Sequence, residues 1–142
     1  HQGPSRAWTK VLKKYLTADT FRSPLDTTGR TCSYAINDFV TSNPYGAEDM
    51  DYSRLQGQSH PSQTLYMSVL NASQQNSDHF HFADPDGGHS SSAFKSEVWV
   101  ELINGGCNYL FLDGHVEKLN WQNVQTKLSQ PDSKFIRPDG KN

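Results

Sequence analysis

Two cysteines, two methionines and no long apolar run are what stand out first in this 142-residue chain. Two cysteines cannot build the disulfide lattice of a small secreted scaffold, and Cys32 and Cys107 lack the close spacing of metal-binding pairs. Apolar runs of only a few residues leave no transmembrane helix and no signal peptide within these residues. Charge of either sign is also scarce in the balance: 13 basic against 15 acidic side chains give a net charge of -2. Phosphate binding needs a basic field, and only Lys10, Lys13 and Lys14 cluster, so a nucleic-acid partner is excluded. The mean hydropathy of -0.76 is low, yet 7 Phe, 6 Tyr and 3 Trp with near-zero net charge are the opposite of a disordered composition. A chain of this size buries roughly two thirds of its unfolded surface, which suits one modest core and a single domain over residues 1–142.

The periodicity predicts an α+β domain. Trp8, Val11, Leu12, Tyr15 and Leu16 recur at helical spacing, opposite Lys10, Lys13 and Lys14, so residues 5–16 read as an amphipathic N-terminal helix with its apolar stripe buried against a sheet. Residues 21–29 carry Pro24 and Gly29 in a polar run and read as a loop. Strands are expected over 32–37, 64–70, 97–103, 107–112 and 115–119, with a short one over 80–82. Asn104-Gly105-Gly106 and Asp113-Gly114 read as tight turns, which makes the last three long strands an antiparallel β-meander packed on the N-terminal helix. Asn120 caps a short helix that Pro131 ends, and residues 133–142 read as a loosely held tail. The polar stretch 41–61 is long for a compact domain.

Chemistry is sparse. His79-x-His81 on a strand places two imidazoles on one face about 7 Å apart. Asp84 and Asp86, with His89, His115 or Asp113, are the candidates to complete a transition-metal site. Asp84-Pro85-Asp86-Gly87 faintly resembles a calcium loop but fails the EF-hand pattern at Gly88 and Lys95. No Gly-x-Ser-x-Gly elbow and no phosphate-cradling glycine loop occur, so no catalytic residues are expected. Asp113 and Gly114 have a mechanical role: Gly114 supplies φ > 0 for a two-residue turn and Asp113 hydrogen-bonds the backbone two residues on. Cys32 and Cys107 either form one bridge, worth roughly 4 kcal/mol for so long a loop, or remain two inert thiols.

The string Asn104-Gly105-Gly106-Cys107-Asn108-Tyr109-Leu110-Phe111-Leu112-Asp113-Gly114-His115-Val116 resembles the carboxy-terminal signature of the bacterial prepilin-type proteins described by an H-x9-D-G motif, which are similar to pseudopilins of type II secretion. The order of Trp8, Leu12 and Tyr15, then Phe21-Arg22-Ser23-Pro24-Leu25-Asp26, Ser33-Tyr34-Ala35-Ile36-Asn37 and Pro61-Ser62-Gln63-Thr64 is similar to that family's succession of segments. Two positions depart from it: Ile103 stands at the motif histidine, and Ser23 stands where the family's Phe-Arg-Cys-Pro pattern has cysteine. The resemblance implies a type IV pilin-like head, periplasmic or at the cell surface, with other pilin-like subunits and secretion-system components as partners. It also implies an apolar helix ahead of the head that anchors the precursor in the inner membrane. Two rival readings are a secreted ligand- or carbohydrate-binding domain, with Tyr45 and Tyr52 as contact residues, and a metal-dependent hydrolase.

Overall fold

A computed structural model describes residues 8–42, 44, 51–75, 77–81 and 90–140. In chain order the elements are α1 (Trp8–Leu12), β1 (Tyr34–Asn37), β2 (Leu65–Val69), β3 (His79–Phe80), α2 (Ser91–Glu97), β4 (Gly106–Phe111), β5 (Val116–Asn120) and α3 (Trp121–Ser129). Single 3-10 turns occupy Ala18–Phe21, Asp38–Val40 and Leu55–Gly57. The class is α+β, as the periodicity predicts. The five strands form one mixed sheet in the order β3-β1-β2-β4-β5, antiparallel throughout except for the parallel pair β1 and β3.

One face of this sheet carries the core. Tyr109 and Phe111 of β4 meet Phe94 of α2, Val124 and Leu128 of α3, and Phe135, all buried. Phe135 is the hub, with ring centroids 6.0 Å from Phe94, 6.2 Å from Tyr109 and 6.1 Å from Phe111. The tail is therefore docked, contrary to the sequence expectation. Leu65 N–H donates to Phe135 O at 2.8 Å, and the wholly buried Asn37 amide donates to Leu65 O and Ile136 O. Asn37 thereby satisfies its amide donors while joining β1, β2 and the tail, which a buried polar group must do to avoid a desolvation penalty.

The β4–β5 hairpin follows its sequence. Gly114 has φ +91°, and Asp113 Oδ1 accepts from His115 N–H at 3.1 Å. The loop is three residues long rather than two: Gly114 N–H donates to Phe111 O and Phe111 N–H to His115 O, a turn followed by a glycine bulge. Asn104 and Gly105, both at positive φ, close the other tight turn between Ile103 and Gly106. Asn120 caps α3 by accepting from Asn123 N–H at 2.8 Å, also as expected.

Three further expectations fail. Residues 97–103 do not form a strand beside β4: Ser90 caps α2 ahead of them, and the segment meets the sheet through the isolated Leu70–Val98 and Ile103–Gly106 bridges. β4 pairs with β2 instead, so the meander runs through β2, β4 and β5. The short strand after Asp78 ends at Phe80. Of the helix expected over 5–16, residues 5–7 lie outside the described residues; α1 has no buried residue, and Val11, Leu12, Tyr15 and Leu16 are exposed. Trp8 alone reaches inward, donating from its indole to Asp78 O at 2.7 Å and packing on Phe21. An amphipathic period announces an apolar face without saying what covers it.

Residues 21–33, read as a plain loop, are organised by a buried ion pair. Arg30 Nε lies 2.5 Å from Asp26 Oδ2, with side chains 1% and 0% exposed. The rest of the guanidinium donates to the carbonyls of Leu70, Asn71 and Gln74. Burial would raise the Asp26 pKa, but hydrogen bonds from Ser33, from the Thr28 N–H and hydroxyl, and from Arg30 outweigh it and hold the carboxyl well below the usual carboxylate range.

Two outcomes are expected. Asp26→Ala should cost about 3 to 5 kcal/mol, because it leaves Arg30 buried and uncompensated. A carboxyl whose pKa is lower folded than unfolded stabilises fully above its unfolded value of about 4, and that contribution is lost as pH falls below it. Chemical denaturation at pH 7, 4 and 2 should therefore show an acid loss of stability that is shallower in Asp26→Ala. Leu12→Ala, at a half-exposed site, should shift stability by no more than about 0.5 kcal/mol; a larger change in the same denaturation assay would mean that its face is covered in solution.

Candidate functional site

The parallel pairing of β1 with β3 builds the one cluster of three metal-ligating side chains found among the described residues. Ile36 sits opposite His79 and Asn37 opposite Phe80. Asp38 opens the 3-10 turn directly after β1, and His81 directly follows β3, so the two lie just past the end of that pairing. One ligand atom from each of the three lies within 4.8 Å of the others. His79 Nε2 is 4.0 Å from Asp38 Oδ1, and the two imidazoles meet edge to face with centroids 4.7 Å apart. All three side chains are largely buried: 13% exposed for Asp38, 21% for His79 and 26% for His81.

Carboxylates stand behind both imidazoles. Asp78 Oδ1 lies 2.6 Å from His79 Nδ1. Glu97 Oε2, at the end of α2, accepts from the His81 backbone N–H at 3.0 Å and lies 3.7 Å from His81 Nδ1. Hydrogen bonding to Glu97 raises the His81 pKa against the opposing effect of burial. A carboxylate at Nδ1 fixes the tautomer that leaves Nε2 for an ion. Two nitrogens and one oxygen suit a first-row transition ion such as zinc; calcium asks for six or more oxygens.

His79 and His81 are thus brought together as the spacing predicts, and the residue that joins them is Asp38, which sequence reasoning missed. Its signal lies in a parallel strand pair joining segments some 40 residues apart, and no local pattern reports that. Asp84, Asp86 and His89 lie outside the described residues, as does the calcium-like loop. Asp113 and His115 do not join the cluster: they sit on the hairpin of β4 and β5, at the other side of the sheet, where His115 stacks on Phe111 with centroids 4.4 Å apart and bonds Asp113. Hydrogen bonds from the His115 backbone and ring hold the Asp113 carboxyl below its ordinary range.

A second feature is a groove of about 330 Å³ lined by Tyr34, Met67, Val69, Asn108, Leu110 and Val116 of four adjacent strands, with Pro24, Leu25, Leu102 and Ile103 at its rim. Tyr34 pairs with Val69, Met67 with Leu110, and Leu110 with Val116, so these side chains share a sheet face. Tyr45 lies outside the described residues. Tyr52 is turned inward: burial and the neighbouring Asp139 carboxylate push its hydroxyl pKa up to about 12 against the opposing pull of Arg137, a poor arrangement for an exposed sugar platform.

Cys32 and Cys107 are unbonded. The strands they open, β1 and β4, are separated by β2, and two strand spacings exceed the Cα reach of a disulfide. Burial raises both thiol pKa values. Compared with family models, curated proteins and solved structures, the chain gives no match. Among the described residues no helix is long and apolar enough to cross a membrane.

The thiols give a direct check. Denatured, unreduced protein should titrate two thiols per chain with an aromatic disulfide reagent. The native fold should release the half-buried Cys32 first and protect Cys107, which is 0% exposed. Zero thiols in the denatured sample would mean that the two are joined.

Proposed function

We propose that this domain is the soluble head of a pseudopilin-like structural subunit, held outside the inner membrane by an upstream apolar helix in its precursor and assembling with other pilin-like subunits. The observation that carries this reading is the apolar groove across the sheet face turned away from α2 and α3. A groove of this kind receives a helix or a neighbouring subunit. Its walls include Asn108, Leu110 and Val116, which belong to the string that resembles the prepilin-type signature. The exposed stripe of Val11, Leu12, Tyr15 and Leu16 is a second apolar surface that subunit packing would cover. The β4–β5 turn fits a structural role as well, since the Asp113 and Gly114 contacts hold register.

The test uses the full-length gene product in its own cells. The wild type should fractionate with the membrane and yield cross-linked multimers, and Met67→Glu, which puts a charge in the groove, should keep the melting behaviour of the isolated head while losing the multimers. A free monomer in the culture medium, or multimers untouched by Met67→Glu, would overturn the reading.

A further inference from the structure

We propose that Asp38, His79 and His81 bind one divalent transition ion of the zinc class, which staples β3 to the turn that follows β1. This inference is independent of the structural role above, because no residue of the cluster lines the apolar groove.

Three observations converge on it. First, the side chains come from two chain segments that the fold brings into parallel register, so the cluster is not a by-product of sequence neighbours; the Ile36–His79 and Asn37–Phe80 partners fix it. Second, each imidazole has a carboxylate near Nδ1, Asp78 at 2.6 Å from His79 and Glu97 at the longer 3.7 Å from His81. That is the arrangement by which outer carboxylates orient metal-binding histidines and raise their basicity. Third, the potential ligand atoms are already gathered within 4.8 Å and largely screened from water. A tetrahedral ion with bonds of about 2.0 to 2.1 Å wants its ligand atoms about 3.3 Å apart. Closing the cluster thus takes movements of roughly 1 to 1.5 Å, within the range of small side-chain torsions.

The fold also gives the ion something to do. β3 has two residues, stands at the sheet edge and pairs in the less favourable parallel sense. Among the contacts around it are Ile36 N–H to Asp78 O and the Trp8 indole to the same carbonyl, at 3.1 and 2.7 Å, and His81 N–H to Glu97 at 3.0 Å. An ion held by both histidines and by Asp38 would cross-link that edge to the end of β1 and, through Glu97, orient it against α2. Three protein ligands leave a fourth position for water.

The experiment titrates chelator-treated protein with Zn2+ by calorimetry, with thermal melts and visible absorption of the Co2+ form alongside. The expected result is one ion per chain in the micromolar range or tighter, a saturable rise in melting temperature, and a Co2+ spectrum of tetrahedral intensity; millimolar Ca2+ should do none of this. Asp38→Ala and His79→Gln, each checked for native circular dichroism, should weaken Zn2+ binding at least about tenfold, whereas His115→Gln at the far hairpin should leave it unchanged. Because the Co2+ spectrum is read on the wild type, the proposal stays testable even if a variant fails to fold. It is overturned if folded wild type takes up no stoichiometric ion. It is equally overturned if folded Asp38→Ala binds as well as wild type, or if binding follows Asp84→Asn/Asp86→Asn instead.

Discussion

The buried pair of Asp26 and Arg30 is the contact on which the rest of the sheet depends. Arg30 spends its guanidinium on one carboxylate and three carbonyls, those of Leu70, Asn71 and Gln74, and so locks the segment before β1 to the segment after β2. The same region is closed by Leu70 N–H donating to Ser33 O, by Ser33 N–H donating to Phe21 O and by Ser23 N–H donating to Ser33 Oγ. A buried ion pair is a poor source of net stability, because desolvation cancels most of the attraction. What it supplies here is geometry: the guanidinium fork accepts few arrangements of four acceptors. That geometry sets where β1 begins on β2. β3 then reads its register from β1, so the Asp38, His79 and His81 cluster inherits its alignment from a contact at the other end of the strand.

What was legible in the sequence was local. The apolar run of residues 107–112 and the turn residues at 104–106 and 113–114 marked the β4–β5 hairpin, and the side chain of Asn120 capped α3 where its type and spacing said it would. Residues 97–103 show where local reading stops. Their alternation was real, since Val98 and Val100 are buried while Glu101 is exposed. Yet Ser90 starts a helix that runs into this segment, and β2 already occupies the edge of β4. Alternation reports which side chains face inward; it does not report which neighbour supplies the hydrogen bonds. The tail failed for a related reason. Phe135 and Ile136 sit among polar residues and carry no period, but two apolar side chains at the end of a small domain fill a gap that β4, α2 and α3 leave open.

For the candidate site, half the information was local and half topological. His-x-His needs only the period of a strand. Asp38 needs the knowledge that the strand after the long polar stretch returns antiparallel, and that the next one crosses to lie parallel on the far side of β1. Nothing in the spacing of residues 38, 79 and 81 conveys that crossing. The same topology removes His115 and Asp113, which were equally eligible by residue type: β1 and β2 stand between their hairpin and the histidine pair. Residue type nominates ligands, and strand order selects among them.

Strand order also separates the two unfinished features of the molecule. The cluster lies at the β1–β3 edge, whereas the apolar groove runs across β1, β2, β4 and β5. An edge strand of two residues gains little from its own ladder and is the part of a sheet most prone to open. Fixing it with side-chain ligands costs no surface elsewhere, so it leaves the groove face available for packing. The exposed apolar stripe of Val11, Leu12, Tyr15 and Leu16 follows directly after Trp8, whose indole is anchored to the carbonyl of Asp78. Stiffening β3 would therefore also stiffen the point from which that stripe departs. In the structural subunit proposed above, such an arrangement would set the angle of an apolar segment by fixing a strand that the segment itself does not cover.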